Sequence, residues 1–218
     1  MIPLFHDFSE STVLVVGGGS VGARKARRFA REARTVVVSP EFTDASFGDA
    51  ELVRGAPDRE AIEDWLERVE PALVVAATDD EELNGAVADA ARDRRILVNR
   101  ADRAGGDRGE GSVVVPATVR EDPIVVAIAT GGAAPALSKH LRRELEEEIE
   151  GAGAMAEFLG EFRTELKARG VAPDRRRKLV GDAVASPAVW TGLRTGAPND
   201  RQVIEDVLDR LEGGGESG

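Results

Sequence analysis

The 218-residue chain contains no cysteine and no tyrosine, and it has only two histidines. Without cysteine there can be no disulfides, thiolate zinc sites, iron–sulfur ligation or cysteine nucleophile. Without tyrosine, a short-chain-type reductase would lack its usual proton donor. Neither His6 nor His140 stands in a metal-ligand spacing. We therefore predict no resident metal site.

Long apolar runs are also missing. None approaches the roughly 20 residues that a membrane helix requires. The N-terminus shows no basic region followed by an apolar stretch, so no signal peptide is predicted. From the sequence we expect a cytoplasmic protein with no membrane partner.

Lysine is scarce, because only four of the 29 basic residues are lysine, whereas Asp and Glu number 40 and the net charge is −11. This composition favours a halophilic protein that is kept soluble in high salt, where screening weakens self-repulsion. A GC-rich genome would explain the arginine but not the acid excess. The negative charge argues against nucleic acid as a partner, since non-specific binding requires a basic face.

Strand and helix patterns alternate through the first half of the chain. Apolar runs predict strands over residues 12–16, 35–38, 52–53, 72–77 and 96–99, and helices are expected over 20–33, 59–69 and 81–92. The strands are continuously apolar, so both sheet faces should be covered. The alternation predicts a parallel, doubly wound, Rossmann-like sheet over residues 1–112.

The pattern changes after a glycine-rich loop at residues 103–111. Strands are expected over 113–115 and 124–129, joined through residues 116–123, in a small α/β segment covering 113–147. A helical C-terminal domain is predicted for 148–218, with a break at 151–153. Its two apolar stripes comprise Phe158, Leu159, Phe162 and Leu166, and Val203, Val207, Leu208 and Leu211.

A glycine motif follows the first predicted strand and opens the first predicted helix. In Gly17-Gly18-Gly19-x-x-Gly22, Gly17 permits a tight turn, Gly19 lets a pyrophosphate approach the backbone, and Gly22 allows close helix–strand packing. The helix N-terminus offers free N–H groups and a partial positive charge to phosphates. The motif predicts a dinucleotide site; the alternative is a glycine-rich turn without a ligand.

The second strand lacks the acidic residue that usually holds the ribose hydroxyls. Ser39 occupies that position, and Glu41 follows after Pro40. No arginine stands there to meet a 2′-phosphate, which favours NAD over NADP. A second candidate cofactor segment, Thr78-Asp79, lies at the C-terminal end of another strand. Either residue could instead simply cap the next helix.

Asp102 follows the last strand of the sheet, at the edge where ligands bind in such folds. It could take a proton from a substrate, although a lone loop carboxylate is usually solvated. Asn99 and Arg100 beside it are candidate substrate contacts.

A further turn, Thr130-Gly131-Gly132, precedes a helix that carries Lys139 and Arg142. Backbone N–H groups with cations close behind suit an anionic substrate. The alternative for Arg142 and its neighbour Arg143 is pairing with Glu146 and Glu147 on the helix surface.

These segments, in this order, resemble the precorrin-2 dehydrogenase family of siroheme synthesis, some members of which are also sirohydrochlorin ferrochelatases. The matching segments are residues 15–25, 38–41, 77–84, 97–99 and 130–142, and the likeness extends into the C-terminal helices. The resemblance implies NAD-dependent oxidation of precorrin-2, a tetrapyrrole with eight carboxylates, to sirohydrochlorin. It also implies a homodimer whose interface is built by residues 113–147.

Site residues are implied by the same resemblance. The family's catalytic aspartate matches Asp102, and its cofactor contacts fall on Ser20, Val21, Pro40 and Glu41. Arg24 and Lys25, together with Arg100, Lys139 and Arg142, are the cations expected to meet the substrate carboxylates.

Two positions depart from the family pattern. Arg100 stands beside Asp102; if the two are close, it would lower the pKa of Asp102 and favour a base over an acid. Ala134 replaces a common serine, and the stretch between Asp102 and Pro116 is longer than usual. Together these departures put ferrochelation in more doubt than dehydrogenation. A different class of function, a non-catalytic NAD-sensing regulatory module, stays open as the alternative.

Overall fold

The computed structural model describes residues 2–103, 109 and 111–194. These residues form two compact units. One comprises the chain up to Val115 together with Gly131–Ala133; the other comprises Pro116–Thr130 and the chain from Ala134 onward. The three domains predicted from the sequence, with boundaries after residues 112 and 147, stay a prediction.

The first unit is a five-stranded parallel sheet with three helices. Its strands are β1 (Thr12–Val16), β2 (Arg34–Ser39), β3 (Glu51–Arg54), β4 (Leu73–Ala76) and β5 (Leu97–Arg100), in the order β3-β2-β1-β4-β5. The helices are α1 (Ser20–Phe29), α2 (Arg59–Val69) and α3 (Glu81–Asp93). The predicted Rossmann-like sheet is thereby confirmed.

Each face of the sheet is covered by its own apolar cluster. Leu14, Val74 and Val98 pack on the side that also holds Ile62 and Leu66 of α2. On the other side, the alternate strand residues pack around Ala23 and Ala26 of α1. This two-sided burial explains why the strands are continuously apolar.

Three expectations differ in the structure, one of them because residues 116–123, expected as a connection, contain a strand at Ala117–Glu121. Helix α1 ends at Phe29, not at 33, and Ala33 is buried in the turn that leads to β2. The prediction of a strand over residues 113–115 is wrong. Only Ser112 bridges to β5, through Val98 N–H to the Gly111 carbonyl and Val113 N–H to the Val98 carbonyl. Pro116 has no N–H to donate, and the next strand begins only after it.

The part of the second unit that the structure describes, up to residue 194, contains an antiparallel hairpin and four helices. The hairpin strands are β6 (Ala117–Glu121) and β7 (Ile124–Ile128), and the helices are α4 (Pro135–Glu148), α5 (Ala152–Ala168), α6 (Pro173–Val184) and α7 (Pro187–Arg194). Phe158, Phe162 and Leu166 form the core of α5–α7, as the first apolar stripe predicted.

Helices α4 and α5 are separated at Gly151, which has a φ of +88° and lies in the break predicted from the sequence. The Gly151 N–H donates to the Glu121 carboxylate at 2.7 Å, which ties the start of α5 to the hairpin. The second predicted stripe, with Val203 and Leu211, lies outside the described residues, as does most of the 103–111 loop. Within the described ranges, no helix is long and apolar enough to span a membrane.

Candidate functional site

The glycine turn between β1 and α1 is tightly constrained at two of its positions. Gly17 has a φ of +118°, and a Cβ there would lie 2.4 Å from the Ala77 carbonyl oxygen. A Cβ on Gly22 would lie 2.0 Å from the Gly17 carbonyl oxygen. The roles predicted for these two glycines, a tight turn and close packing, match these contacts.

Gly18 and Gly19 face different surroundings. A Cβ on Gly18 would lie 2.2 Å from the Glu41 carbonyl oxygen, and the Gly18 carbonyl accepts the Thr43 N–H at 2.9 Å. The turn is thus packed against the loop that follows β2. A Cβ on Gly19 would meet no atom within 4 Å. Gly19 therefore leaves open space at the N-terminus of α1, where the sequence predicted a pyrophosphate.

Two cavities adjoin at the carboxyl ends of the strands. The first, of about 630 Å³, is lined by the glycine turn, by the segments after β2 and β3, and by the start of α3; its wall includes Gly17, Gly18, Gly19, Ser39, Pro40, Glu41, Thr78 and Asp79. Of the predicted cofactor residues, eight therefore face one cavity.

The second cavity, of about 540 Å³, shares Gly19, Ala77, Thr78 and Asp79 with the first. The remaining wall comprises Ser20, Val21, Glu81, Asn84, Ala101, Asp102 and Arg103. The structure thus places the predicted catalytic carboxylate at a cavity that shares four wall residues with the predicted cofactor pocket. Gly22 is buried beneath the turn and lines neither cavity.

Asn84, for which the sequence suggested no role, anchors the wall between the two cavities. It is fully buried in α3. Its Oδ1 accepts the Thr78 N–H at 3.1 Å and the Thr78 hydroxyl at 2.8 Å, and its Nδ2 donates to the Thr78 carbonyl at 2.9 Å. Its place one turn into the helix after the Thr78 segment is a signal that sequence reasoning could have used.

The residue that caps α3 is Asp80, rather than Thr78 or Asp79 as the alternative interpretation held. The Asp80 carboxylate accepts the N–H groups of Glu82 and Leu83 at 2.9 and 3.0 Å. Thr78 is instead held by Asn84, and Asp79 is exposed on the wall of both cavities. Thr78 contributes to this helix start only indirectly, since its hydroxyl accepts the Asp80 N–H at 3.2 Å.

Arg100 and Asp102 form an ion pair at the edge of the second cavity. Arg100 Nε donates to Asp102 Oδ1 at 3.1 Å, and Arg100 Nη2 donates to Oδ2. This pairing with Arg100 lowers the pKa of Asp102. The direction agrees with the sequence expectation, so Asp102 is a carboxylate near neutral pH.

Asn99 is buried and lies outside the lining of both cavities. Its Nδ2 donates to the Val113 carbonyl at 2.8 Å, and its Oδ1 has no hydrogen-bond partner among the described residues. This amide fixes the segment that runs beside β5. Its predicted contact with substrate stays a prediction.

Arg24 and Lys25 also lie outside the lining of the two cavities. Arg24 is exposed on α1, whereas Lys25 is half-buried on the side of the helix. Burial lowers the pKa of Lys25 to about 8, and the neighbouring charges of Arg28 and Arg24 add to this. Their predicted role toward substrate carboxylates remains a prediction.

The remaining predicted substrate residues lie around the turn before α4. The Thr130 hydroxyl lies 3.0 Å from the Ser138 hydroxyl, and Gly131 and Gly132 have φ values of +65° and +85°. Lys139 is exposed on α4. Arg142 donates to both Glu146 carboxylate oxygens at 2.9 and 2.7 Å, as the pairing alternative predicted.

Among the described residues, no group of three or more acidic or histidine side chains is arranged to hold a metal ion. The two cavities instead offer backbone N–H groups, hydroxyls and carboxylates. Such a lining suits a dinucleotide with its phosphates on the glycine turn.

The parallel sheet, the glycine turn and the adjoining cavities define a dinucleotide-binding protein of the Rossmann class. A family model described as "Putative NAD(P)-binding" matches residues 4–117, more than half of the chain. The chain belongs to this family. The match confirms the predicted cofactor as a nicotinamide dinucleotide of the class NAD(P).

Relatives of known name extend the likeness beyond this region. The siroheme synthase of Pseudomonas fluorescens (strain SBW25) is 34% identical over 216 residues, which cover 96% of this chain and 43% of the relative. That of Chromobacterium violaceum is 37% identical over 193 residues, covering 85% of this chain and 39% of the relative. The chain therefore spans less than half the length of these relatives.

A solved structure described as "SirC, precorrin-2 dehydrogenase" has a TM-score of 0.68 and 24% identity, and the match covers 96% of this chain and 100% of that one. The two chains share the fold over nearly their whole length. The solved structure shows the shared fold, and the likeness to siroheme synthases agrees with the resemblance that the sequence motifs indicated.

Proposed function

We propose that the chain is an NAD-dependent dehydrogenase that oxidises precorrin-2 to sirohydrochlorin in siroheme synthesis. One observation carries the proposal: Asp102, which the sequence resemblance matches to the family's catalytic aspartate, lines a cavity that shares part of its wall with the predicted dinucleotide pocket. A sensor of NAD would need the first cavity but not a carboxylate at the second.

The cofactor is proposed to lie across both cavities. Ser39 and Glu41 in the first cavity would hold its adenosine half, and Gly19 with the N-terminus of α1 would hold its pyrophosphate. Ser20 and Val21 in the second cavity, which Asp102 also lines, would hold its nicotinamide half.

Glu41 supports a preference for NAD over NADP. It lines the adenosine side of the first cavity. Its carboxylate would repel a 2′-phosphate, and it is available to accept hydrogen bonds from ribose hydroxyls. The displaced acid therefore performs the discrimination that the usual strand-end acid performs in other members of the class.

Bound NAD⁺ would supply the acceptor for a hydride from a ring carbon of the substrate. The oxidation is balanced by loss of one proton, so precorrin-2 and NAD⁺ give sirohydrochlorin, NADH and H⁺. The Asp102 carboxylate is proposed to stabilise the positive charge that develops on the macrocycle and to receive this proton. Because the pKa of Asp102 is lowered, its side chain is an ionised carboxylate near neutral pH.

Incubation of the protein with precorrin-2 and NAD⁺, with NADH absorbance as the signal, tests the proposal. Asp102→Asn should abolish most turnover while NAD⁺ binding is retained. Asp64→Asn, on the exposed face of α2, removes the same charge away from the cavities and serves as the control. Cofactor binding without turnover in the unmodified protein would favour the NAD-sensing alternative.

Ferrochelation, which some members of the resembled family also perform, would use iron as a substrate of the same cleft. Supplying sirohydrochlorin and Fe²⁺ and following siroheme absorbance tests it separately from the dehydrogenase reaction. A lack of siroheme formation alongside normal NADH formation would restrict the chain to the first reaction.

A homodimer in the cytoplasm is proposed for the assembled enzyme. Helix α4 has no buried residue in the single chain, and Leu137 and Leu141 are 47% and 37% exposed. Apolar side chains exposed on one helix favour contact with a second copy. Light scattering on the unmodified protein and on the variant Leu137→Asp measures whether the dimer forms and whether this helix supports it.

A further inference from the structure

Arg100 is buried far more deeply than a surface ion pair requires. Its side chain is 9% exposed, and that of Asp102 is 23% exposed. The guanidinium donates to both carboxylate oxygens, with Nε directed to Oδ1 and Nη2 to Oδ2. A two-point contact of this kind fixes the plane of the carboxylate as well as its position.

The Arg100 guanidinium also contacts helix α3. Arg100 Nη2 lies 3.3 Å from the Glu81 carbonyl oxygen in the first turn of α3. A Cβ on Gly85, one turn later, would lie 3.6 Å from Arg100 Nη1, so a longer side chain there would compete for this space. The glycine in α3 thus leaves room for the arginine, and β5 and α3 together define its rotamer.

The charges around Arg100 come from three elements. Glu81, Glu82 and Asp89 of α3 line the same shallow cavity as Arg100, together with Arg59 of α2 and Arg103 after β5. Arg103 pairs with Glu81 at 3.2 Å. Asp102 accepts hydrogen bonds from both Nε and Nη2 of Arg100. The guanidinium is therefore paired with the carboxylate that lines the second cavity.

We propose that Arg100 is a positioning residue for Asp102, which it orients toward the second cavity while it offsets the negative charge that a polycarboxylate substrate would otherwise meet. This inference rests on the proposed dehydrogenase function. It adds a specific role for a residue at which the chain departs from its family.

Two consequences separate this role from simple structural support. Without Arg100, the pKa of Asp102 should rise toward its ordinary range, because the hydrogen bonds and the positive charge are lost. If turnover requires the ionised carboxylate, the acid limb of the pH profile must then move to higher pH. The substrate should also bind more weakly, because the carboxylate would repel a polyanion.

The test compares Arg100→Met with Arg100→Lys in the full chain. For Arg100→Met we expect a KM for precorrin-2 that is raised about tenfold or more, an acid limb shifted to higher pH, and an unchanged affinity for NAD⁺. Arg100→Lys should restore substrate affinity better than kcat, because an ammonium keeps the charge but not the two-point contact. Arg94→Met, which breaks the Arg94–Glu63 pair at the far end of α3, is the control.

A measurement that does not depend on turnover keeps the inference separate from the proposed function. Carboxyl ¹³C NMR follows the titration of Asp102 directly, with Asp102→Asn to assign the signal. A higher midpoint in Arg100→Met than in the unmodified protein supports the role of Arg100. An unchanged midpoint overturns it even if the enzyme oxidises precorrin-2. A shifted midpoint in a protein that never forms NADH leaves the pairing intact but rejects the dehydrogenase function.

Discussion

Glycines of a single motif carry unequal structural constraints. Gly17 combines a φ of +118° with a Cβ position only 2.4 Å from the Ala77 carbonyl oxygen. Gly19 has a φ of −74° and open space around it. The first is therefore a requirement of the fold, whereas the second becomes a requirement only when a ligand approaches.

Alanine at these two positions should separate folding from binding. Gly17→Ala should lower the free energy of unfolding by about 3 kcal/mol, because strain and a backbone clash are both introduced. Gly19→Ala should cost less than about 1 kcal/mol but weaken NAD⁺ binding about tenfold or more. Urea denaturation and calorimetric titration with NAD⁺ measure the two effects. Equal stability losses at both positions would contradict this assignment.

Lys25 combines partial burial with positive neighbours, which lowers its pKa to about 8. Its ordinary value is near 10.5. Between these values the unfolded chain binds more protons than the folded one, so stability should rise with pH through this range. Below pH 8 both states are charged, and the full cost of burying the ammonium is present.

Lys25→Met should therefore stabilise the protein at pH 7, by at most about 3 kcal/mol. The advantage over the unmodified protein should shrink between pH 8 and pH 10.5. Unfolding curves across this range test the sign. Lys139→Met, on the exposed surface of α4, removes the same charge without removing a half-buried group. An advantage that stays constant with pH would show that packing, rather than charge, is responsible.

At the scale of elements, helix α3 links the proposed cofactor pocket to the Asp102 carboxylate. Asp80 caps its first turn, Asn84 fixes Thr78 between the cavities, and Glu81 supports Arg100 through its carbonyl group. Movement of this helix start would disturb both cavities together. The residues that support both cavities are therefore concentrated at the start of α3.

Two helix caps offer a matched comparison of this link. Asp80→Ala and Asp58→Ala each remove a carboxylate that accepts N–H groups at a helix start. Each should cost about 1 kcal/mol of stability. Only Asp80→Ala should also weaken NAD⁺ binding, since Asn84 and Thr78 depend on α3 and not on α2. A similar loss of affinity in both variants would trace the effect to general destabilisation.

Local patterns predicted most elements of the first unit because each strand carries its own apolar run and the strands alternate with helical patterns. The strand expected at 113–115 failed for a non-local reason. Whether three valines form a strand depends on the partner they reach, and only Ser112 bridges to β5. The Arg100–Asp102 pair could be anticipated from adjacency, but the anchoring of Thr78 by Asn84 depends on where α3 packs.

At the scale of the whole molecule, the net charge of −11 is the dominant electrostatic feature. Surface pairs such as Arg34–Glu51 and Arg169–Glu165 lose strength in salt, but each contributes at most about 1 kcal/mol. Repulsion among the excess acids is also weakened by salt, and it acts over the entire surface. The sum of the many repulsive terms should exceed the few attractive ones.

We therefore expect the thermal midpoint to rise between 0.1 and 1 M KCl, as the screening length falls from about 10 to about 3 Å. A variant with Glu144, Glu147 and Glu148 of α4 changed to glutamine should show a smaller rise, because part of the repulsion is already removed. Sucrose matched for osmolality controls for solvent exclusion. A midpoint that stays level or falls in KCl would mean that attractive pairs outweigh repulsion, and the acid excess would then need an explanation other than adaptation to salt.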